Sequence, residues 1–325
     1  MTNAIDIQGV TKTFGPKVAV DNLDLQVPEG AMYGLIGPNG AGKTTAIRMV
    51  MSILFPDSGS ISVLGRDSAI KSKDKIGYLP EERGLYKKMR VGAFLKYMAY
   101  LKGRRGDGLE KEIKQWLERL DLVDVYKKKC EELSKGMQQK IQFLTTILHN
   151  PELLILDEPF SGLDPLNMRL LRDLIREQNQ AGKTVIFSTH VMHQAEDLCD
   201  HIVMIDQGRK VLDSTLGEIR TQFDPRTIVF DPTDSTQSLD PVRGLPGVRA
   251  VSRIQDSVEV SLSDGDNHEQ TLKRIVEMVP VRSIAIRRPT LEDVFIQIVQ
   301  TGKSGDESSL RASLRGETVQ AGGAA

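Results

Sequence analysis

Gly37-Pro-Asn-Gly-Ala-Gly-Lys-Thr-Thr45 places three glycines just ahead of a lysine and two threonines, a spacing suited to cradling a chain of phosphates. Gly37, Gly40 and Gly42 have no side chains, so the backbone around Pro38, Asn39 and Ala41 can bend tightly. Its N–H groups then turn inward above the positive end of the helix expected to begin near Lys43. Lys43 would reach the outer phosphates, and the Thr44 hydroxyl, with Thr45 beside it, would face a Mg²⁺ ion. The run Ala31-Met-Tyr-Gly-Leu-Ile36 before the loop reads as a buried strand, which gives the segment the strand–turn–helix setting of a P-loop.

A second group follows the apolar stretch Leu153-Leu-Ile-Leu156, where Asp157 and Glu158 precede Pro159. The carboxyl end of a parallel strand is where α/β sheets bind ligands. There Asp157 would hold Mg²⁺ through water, and Glu158 would polarise an attacking water as general base. His190 follows Phe187-Ser-Thr189 at the end of another strand and would bridge Glu158, the water and a terminal phosphate.

Alternation over residues 4–10 and 18–27 predicts half-buried antiparallel strands at the start of the chain. Gly59–Leu64 predicts a further strand, followed by a lysine-rich loop and Lys75-Ile-Gly-Tyr-Leu-Pro80. From about 91 to 150 apolar residues recur at three- and four-residue steps, as in Val91, Phe94, Leu95, Met98 and Leu101, so a helical subdomain over about 85–150 is expected, broken at Gly103–Gly108. Wholly apolar strands at Leu153–Leu156 and Thr184–Phe187, separated by a helix over about 167–180, predict a sheet covered on both faces. Ile202–Ile205 and Lys210–Leu212 read as a strand pair turning at Gln207-Gly208. Beyond about 220 short strands and a helix near 268–279 predict a separate α+β domain over 218–302. Its last helix opens at the capping-box pattern Thr290-Leu-Glu-Asp293. The expected division is an ATPase domain over 1–217, the α+β domain, and a disordered tail over 303–325.

The 325 residues carry 43 Lys plus Arg against 44 Asp plus Glu, a formal net charge of −1, which implies no global attraction to nucleic acid. Cys130 and Cys199 stand apart, without the spacing of a zinc site or a disulfide framework. No apolar run is long enough to span a bilayer, and Met-Thr-Asn-Ala-Ile-Asp6 begins neither a signal nor a transit peptide, so a cytoplasmic chain is expected.

With Leu133-Ser-Lys-Gly-Met-Gln138 opening a helix and Ser161-Gly-Leu-Asp164 after the acidic pair, the order of motifs over about 4–217 resembles the ATP-binding subunits of ABC transporters. The resemblance implies a P-loop ABC fold, a mixed sheet with an antiparallel β element and an inserted helical subdomain. It makes Gly37–Thr45 the Walker A motif, Leu153–Glu158 Walker B, Leu133–Gln138 the signature, Ser161–Asp164 the D-loop and His190 the switch histidine. Phe14 is similar to the aromatic residue that stacks on adenine. ATP and Mg²⁺ are the implied cofactors. In a homodimer Ser134 and the Gly136 amide of one copy would cap the γ-phosphate held by the other.

Glu81 falls where the family's Q-loop carries glutamine, and would place a carboxylate within reach of the metal. Lys135 and Met137 depart from the usual Ser-Gly-Gly-Gln signature. Gly77-Tyr-Leu-Pro-Glu-Glu-Arg-Gly-Leu-Tyr86 and the appended domain ending Thr290–Phe295 look like the sodium-efflux-type and related bacterial exporter ATPases. The resemblance therefore implies an ATPase subunit docked at the inner face of the cell membrane on a separate permease, with no nucleic-acid partner. The alternatives are a soluble ABC ATPase acting on ribosomes or nucleic acid, and a nucleotide sensor with little turnover.

Overall fold

The computed structural model describes residues 2–303 except 83, 224, 225, 235 and 264–266; the tail expected over 303–325 lies, past Lys303, outside the described residues. These fall into two compact units divided between Leu216 and Gly217.

In the first unit, β1 (Asn3–Phe14) and β2 (Lys17–Pro28) form a long antiparallel hairpin, extended on the other side of β1 by β4 (Ser58–Val63), in the order β2-β1-β4. The period-2 pattern is honoured: Ile5, Ile7, Val20, Leu23, Leu25 and Val27 turn inward. A six-stranded sheet carries the site. Its order is β5 (Ile76–Leu79), β6 (Leu153–Asp157), β7 (Thr184–Thr189), β3 (Met32–Ile36), β8 (His201–Asp206) and β9 (Arg209–Thr215), parallel except for the antiparallel β9 edge. β3, β6 and β7 are buried along their whole length, as expected of strands covered on both faces. One face packs on α1 (Lys43–Val50) and the antiparallel sheet through a shared apolar core that joins Leu23 and Val27 to Leu35, Ile47, Val50, Ile155 and Ile186.

Against the sheet's other face lie α4 (Lys135–Ile147), α5 (Pro165–Gln180) and α6 (Met192–Leu198). With α4, two further helices, α2 (Val91–Leu101) and α3 (Leu109–Arg119), make up the helical region. The helical pattern of 91–150 is interrupted not only at Gly103–Gly108 but also between α3 and α4, where short 3-10 turns at Val123–Val125 and Cys130–Glu132 carry the chain. Lys-rich residues before β5 form a 3-10 helix, Ala69–Lys75, rather than an open loop, because Ser68 caps it by accepting from the Ile70 amide.

In the second unit, α7 (Leu216–Gln222), which begins on the last residue of the first, leads to an antiparallel sheet ordered β11 (Val248–Ile254), β12 (Ser257–Leu262), β10 (Thr227–Pro232) and β13 (Val281–Ile286). α8 (Asp240–Arg243) and α9 (His268–Met278) close its core around Phe230, Val258, Val260 and Ile275. At α10 (Leu291–Lys303) the capping box forms as read: Thr290 Oγ1 accepts from the Asp293 amide at 3.1 Å, and Asp293 Oδ2 accepts from the Thr290 amide at 3.1 Å.

His149, just past α4, is buried with its Nε2 donating to the Ile76 carbonyl at 3.1 Å. Burial holds its pKa down, to about 4. The neutral ring is favoured in the fold while the unfolded chain binds the proton near pH 6.5, so its contribution is complete above that pH and lost as pH falls toward 4. Chemical denaturation between pH 7 and 4 should show a loss of about 3 kcal/mol from this group, and His149→Gln should flatten that part of the profile.

Candidate functional site

The sheet order places the carboxyl ends of β6, β7 and β3 side by side, and from these three ends come Asp157 with Glu158, His190, and the glycine-rich loop. Residues scattered over 37–190 in the sequence thereby share one edge.

Gly37 and Gly42 adopt φ of 151° and 112°. A Cβ at Gly37 would stand 2.1 Å from the Ile205 carbonyl oxygen and one at Gly42 2.3 Å from that of Ala19, so the turn admits no side chain at either position. Lys43 is only 6% exposed, and its Nζ donates to the carbonyls of Gly37 (2.7 Å) and Pro38 (3.0 Å). The ammonium thus sits inside the bend of its own loop. Burial lowers its pKa, and Glu158, Asp157 and Glu81 pull it back up, so the three carboxylates and the cation form one electrostatic unit.

Asp157 is almost wholly buried. Its Oδ1 accepts from Ser188 Oγ and, at 3.4 Å, from Thr44 Oγ1, while its Oδ2 has no hydrogen-bond partner. Desolvation raises its pKa against the pull of those two hydroxyls. A buried carboxylate oxygen left without a donor, beside a threonine hydroxyl, is a chemically fitting place for a water-bound Mg²⁺. With that ion bound, Thr44, Asp157 and Glu81 would surround the charge of the outer phosphates.

Glu158 has a φ of 49°, in the left-handed region that a non-glycine residue occupies only when held there. Four contacts hold it: its amide donates to the Ser188 carbonyl at 3.1 Å, Oε1 accepts from the His190 amide (2.9 Å) and pairs with His190 Nδ1 (2.7 Å), and Oε2 accepts from Thr189 Oγ1 at 3.3 Å. One carboxylate therefore spans the ends of two neighbouring strands, with the imidazole partly exposed beside it.

A depression of about 380 Å³ joins the glycine-rich loop to Glu158, lined by Asn39–Thr45, Phe14, Lys17, Ala19, Glu81 and Glu158; Asp157 and His190 are not among its lining residues. Phe14 is 48% exposed at the end of β1. Asp57 fixes that end by accepting from the Thr13 amide and from Lys12 Nζ, both at 2.7 Å, and the Lys12 ammonium lies 5.7 Å from the centroid of the half-exposed Phe14 ring, an aromatic surface of the kind that stacks on a base.

Ser134, Gly136 and Asp164 are not brought to this depression. Ser134 is exposed and caps α4, its Oγ accepting from the Met137 amide at 3.3 Å. Asp164 is exposed and caps α5 through the Asn167 amide at 2.9 Å. The two caps are neighbours, because a Cβ on Gly136 would lie 3.6 Å from the Leu163 side chain.

Sequence reading did not mark Ser188 and Thr189, which hold the two acids, or Gln139 and Gln142 of α4. Gln139 Nε2 donates to the Pro159 carbonyl at 2.9 Å, and Gln142 Nε2 to the carbonyls of Pro80 (3.4 Å) and Glu82 (3.2 Å). The available signal was their polarity on a helix face otherwise apolar, as at Ile141, Phe143 and Leu144.

Removing the buried ammonium should be felt at once by a phosphate ligand. Lys43→Ala should weaken ATP binding, measured by equilibrium titration, by roughly tenfold to a hundredfold, the worth of its charge-assisted hydrogen bonds.

Comparison with known proteins agrees with this geometry. Residues 20–161 match the ABC transporter family, and residues 215–299 match the family described as ATP-binding protein DrrA1-3-like, C-terminal domain. An uncharacterised ABC transporter ATP-binding protein of Bacillus subtilis (strain 168) is 42% identical over 91% of this chain and 98% of its own. The daunorubicin/doxorubicin resistance ATP-binding protein of Streptomyces peucetius is 31% identical over 98% of each chain. A solved structure of an ATP-binding subunit of an ABC transporter superposes with a TM-score of 0.63 at 30% identity, over 68% of this chain and 93% of that one. The chain thus belongs to the family of ABC transporter ATP-binding proteins, ATPases built on a P-loop core.

Proposed function

We propose that two copies of this chain close face to face around two Mg-ATP and that the cycle of closure and hydrolysis drives a separately encoded membrane permease, as an exporter does. The observation that carries the reading is the separation of the two half-sites. The depression between Phe14 and Glu158 contains the cradle, while Ser134 and Asp164 stand exposed, with Gly136 half-buried beside Ser134, elsewhere on the same unit. A helix N-terminus presenting a serine and a small residue is suited to capping a phosphate, and only a second copy would bring it to one. In the closed dimer Phe14 holds the adenine, Gly37–Thr45 the phosphates, and Thr44, Asp157 and Glu81 face the metal. Glu158, oriented by His190 and Thr189, takes the proton of the attacking water.

The ATPase domain is residues 1–217 and the appended domain 218–302, in keeping with the division of the contacts at Leu216 and with the match of residues 215–299 to the DrrA1-3-like C-terminal domain family. Export is supported by the Streptomyces peucetius relative, a daunorubicin/doxorubicin resistance ATP-binding protein. No helix among the described residues is long and apolar enough to cross a membrane, so the transport path belongs to the partner. Residues 81–100, running from Glu81 through most of α2, are the contact with it, at the cytoplasmic face of the membrane.

Glu158→Gln should keep ATP affinity, slow hydrolysis by roughly a hundredfold or more, the contribution of a general base, and accumulate an ATP-dependent dimer in light scattering. A variant that hydrolyses at the parent rate overturns the base assignment, and one that stays monomeric at saturating ATP overturns the dimer. In reconstituted membranes turnover should rise with the permease; stimulation by RNA or DNA instead would favour the ribosome or nucleic-acid reading.

A further inference from the structure

Two lysine-rich segments far apart in sequence are joined in the helical region. Tyr86-Lys-Lys-Met89 forms a turn closed by the Met89 amide on the Tyr86 carbonyl at 2.9 Å, and Val125-Tyr-Lys-Lys128 forms another, closed by the Lys128 amide on the Val125 carbonyl at 2.9 Å. The chain leaving each turn then pairs with the other. Arg90 and Lys129 form an antiparallel bridge, flanked by Val91 N–H to the Lys128 carbonyl (2.9 Å) and Cys130 N–H to the Met89 carbonyl (2.9 Å). Val91 and Cys130 go into the core, and all six cations, Lys87, Lys88, Arg90, Lys127, Lys128 and Lys129, are exposed. Among the described residues, the ion pair this cluster makes is Lys129 with Glu131, at 3.4 Å. The acids nearby in sequence are Asp124, Glu131 and Glu132, and Asp107, Glu110 and Glu118 share a hollow with Lys127, where Lys111 and Lys114 add to the cations and Glu110 is paired with Lys96 and Lys114, so positive charge stays in excess.

Beside the first turn lies an open hollow of about 480 Å³ lined by Tyr86, Met89 and Tyr97 with the two lysines. Tyr86 is 51% and Tyr97 40% exposed, the rings set edge to face with centroids 5.8 Å apart.

We propose that this surface binds the anionic headgroups of a phospholipid bilayer, the cations taking up phosphate charge and the two tyrosines resting at the headgroup level. Resting on the reading above, it lies at or beside the 81–100 contact segment and adds a lipid contact to the protein one. Tyrosine is enriched at membrane interfaces because its ring is apolar and its tip polar. Juxtamembrane lysines and arginines are attracted to anionic lipid at short range. Outside the contact segment, Lys127, Lys128 and Lys129 would repel a further cytoplasmic loop of a permease, which tends by the positive-inside rule to carry Lys and Arg itself, whereas headgroup phosphates match them. The charge is local, since the chain as a whole is near neutral at −1.

The test uses the full chain and permease-free vesicles in a flotation assay, one set of phosphatidylcholine and one containing roughly a third phosphatidylglycerol, a fraction chosen to give a substantial negative surface potential. Binding is expected to the anionic vesicles and not the neutral ones, and to fade as salt is raised. Lys127→Gln with Lys128→Gln, outside the contact segment, should weaken vesicle binding by roughly 25-fold, about fivefold for each cation, with basal ATPase activity unchanged. Equal binding of both vesicle types, or undiminished binding by the double variant with ATPase intact, overturns the proposal, as does binding to double-stranded DNA as tight as to anionic vesicles. None of these results bears on the Glu158→Gln dimer test, so either reading can fail alone.

Discussion

The phosphate site rests on a buried charge balance. Lys43, enclosed by its own loop carbonyls, faces Asp157 and Glu158 at the end of β6, with Glu81 adding to the field. Removing an ammonium or a carboxylate from water is costly unless opposite charge and hydrogen bonds replace the solvent. The Gly37 and Pro38 carbonyls do so for the lysine, and Ser188 and Thr44 do so for half of the aspartate. The unsatisfied half is the atom that an Mg-nucleotide would complete. A site left electrostatically unfinished in this way gains from its ligand what the apoprotein lacks.

The fold makes this possible with little local strain because the work is distributed over three adjacent strands. Each of β3, β6 and β7 is buried throughout and ends in a turn that carries one part of the chemistry. The strained element is Glu158, and its strain is held by the neighbouring strand through Ser188, Thr189 and His190. α4 then ties the helical region to both flanks of the site, through Gln139 to the segment after Glu158 and through Gln142 to the segment around Glu81. A displacement of either segment is thereby felt by the helix that begins at Ser134.

Much of this was legible in the chain because local chemistry and global fold agree there. Glycine spacing, the apolar strand before the acids, the helix opening at Leu133–Gln138 and the cap at Thr290 each act over a few residues, and each appears where its pattern put it. What escaped depends on contacts distant in sequence. α6 is seven residues long, too short for its periodicity to be read. Ser188 and Thr189 are small polar residues at the end of an apolar strand, and their partnership with Asp157 and Glu158 exists only once β6 and β7 pair. The joining of two lysine runs into one surface is likewise a product of folding, since each run alone reads as an ordinary solvated turn.

The cap at Ser134 has a further consequence. Its oxygen already receives the Met137 amide. With one of its two lone pairs so engaged, the hydroxyl keeps a hydrogen to offer an oxyanion. Aspartate would close the helix equally well yet would present only lone pairs and negative charge. Serine therefore caps the helix without adding a charge that would repel an anion brought to its end.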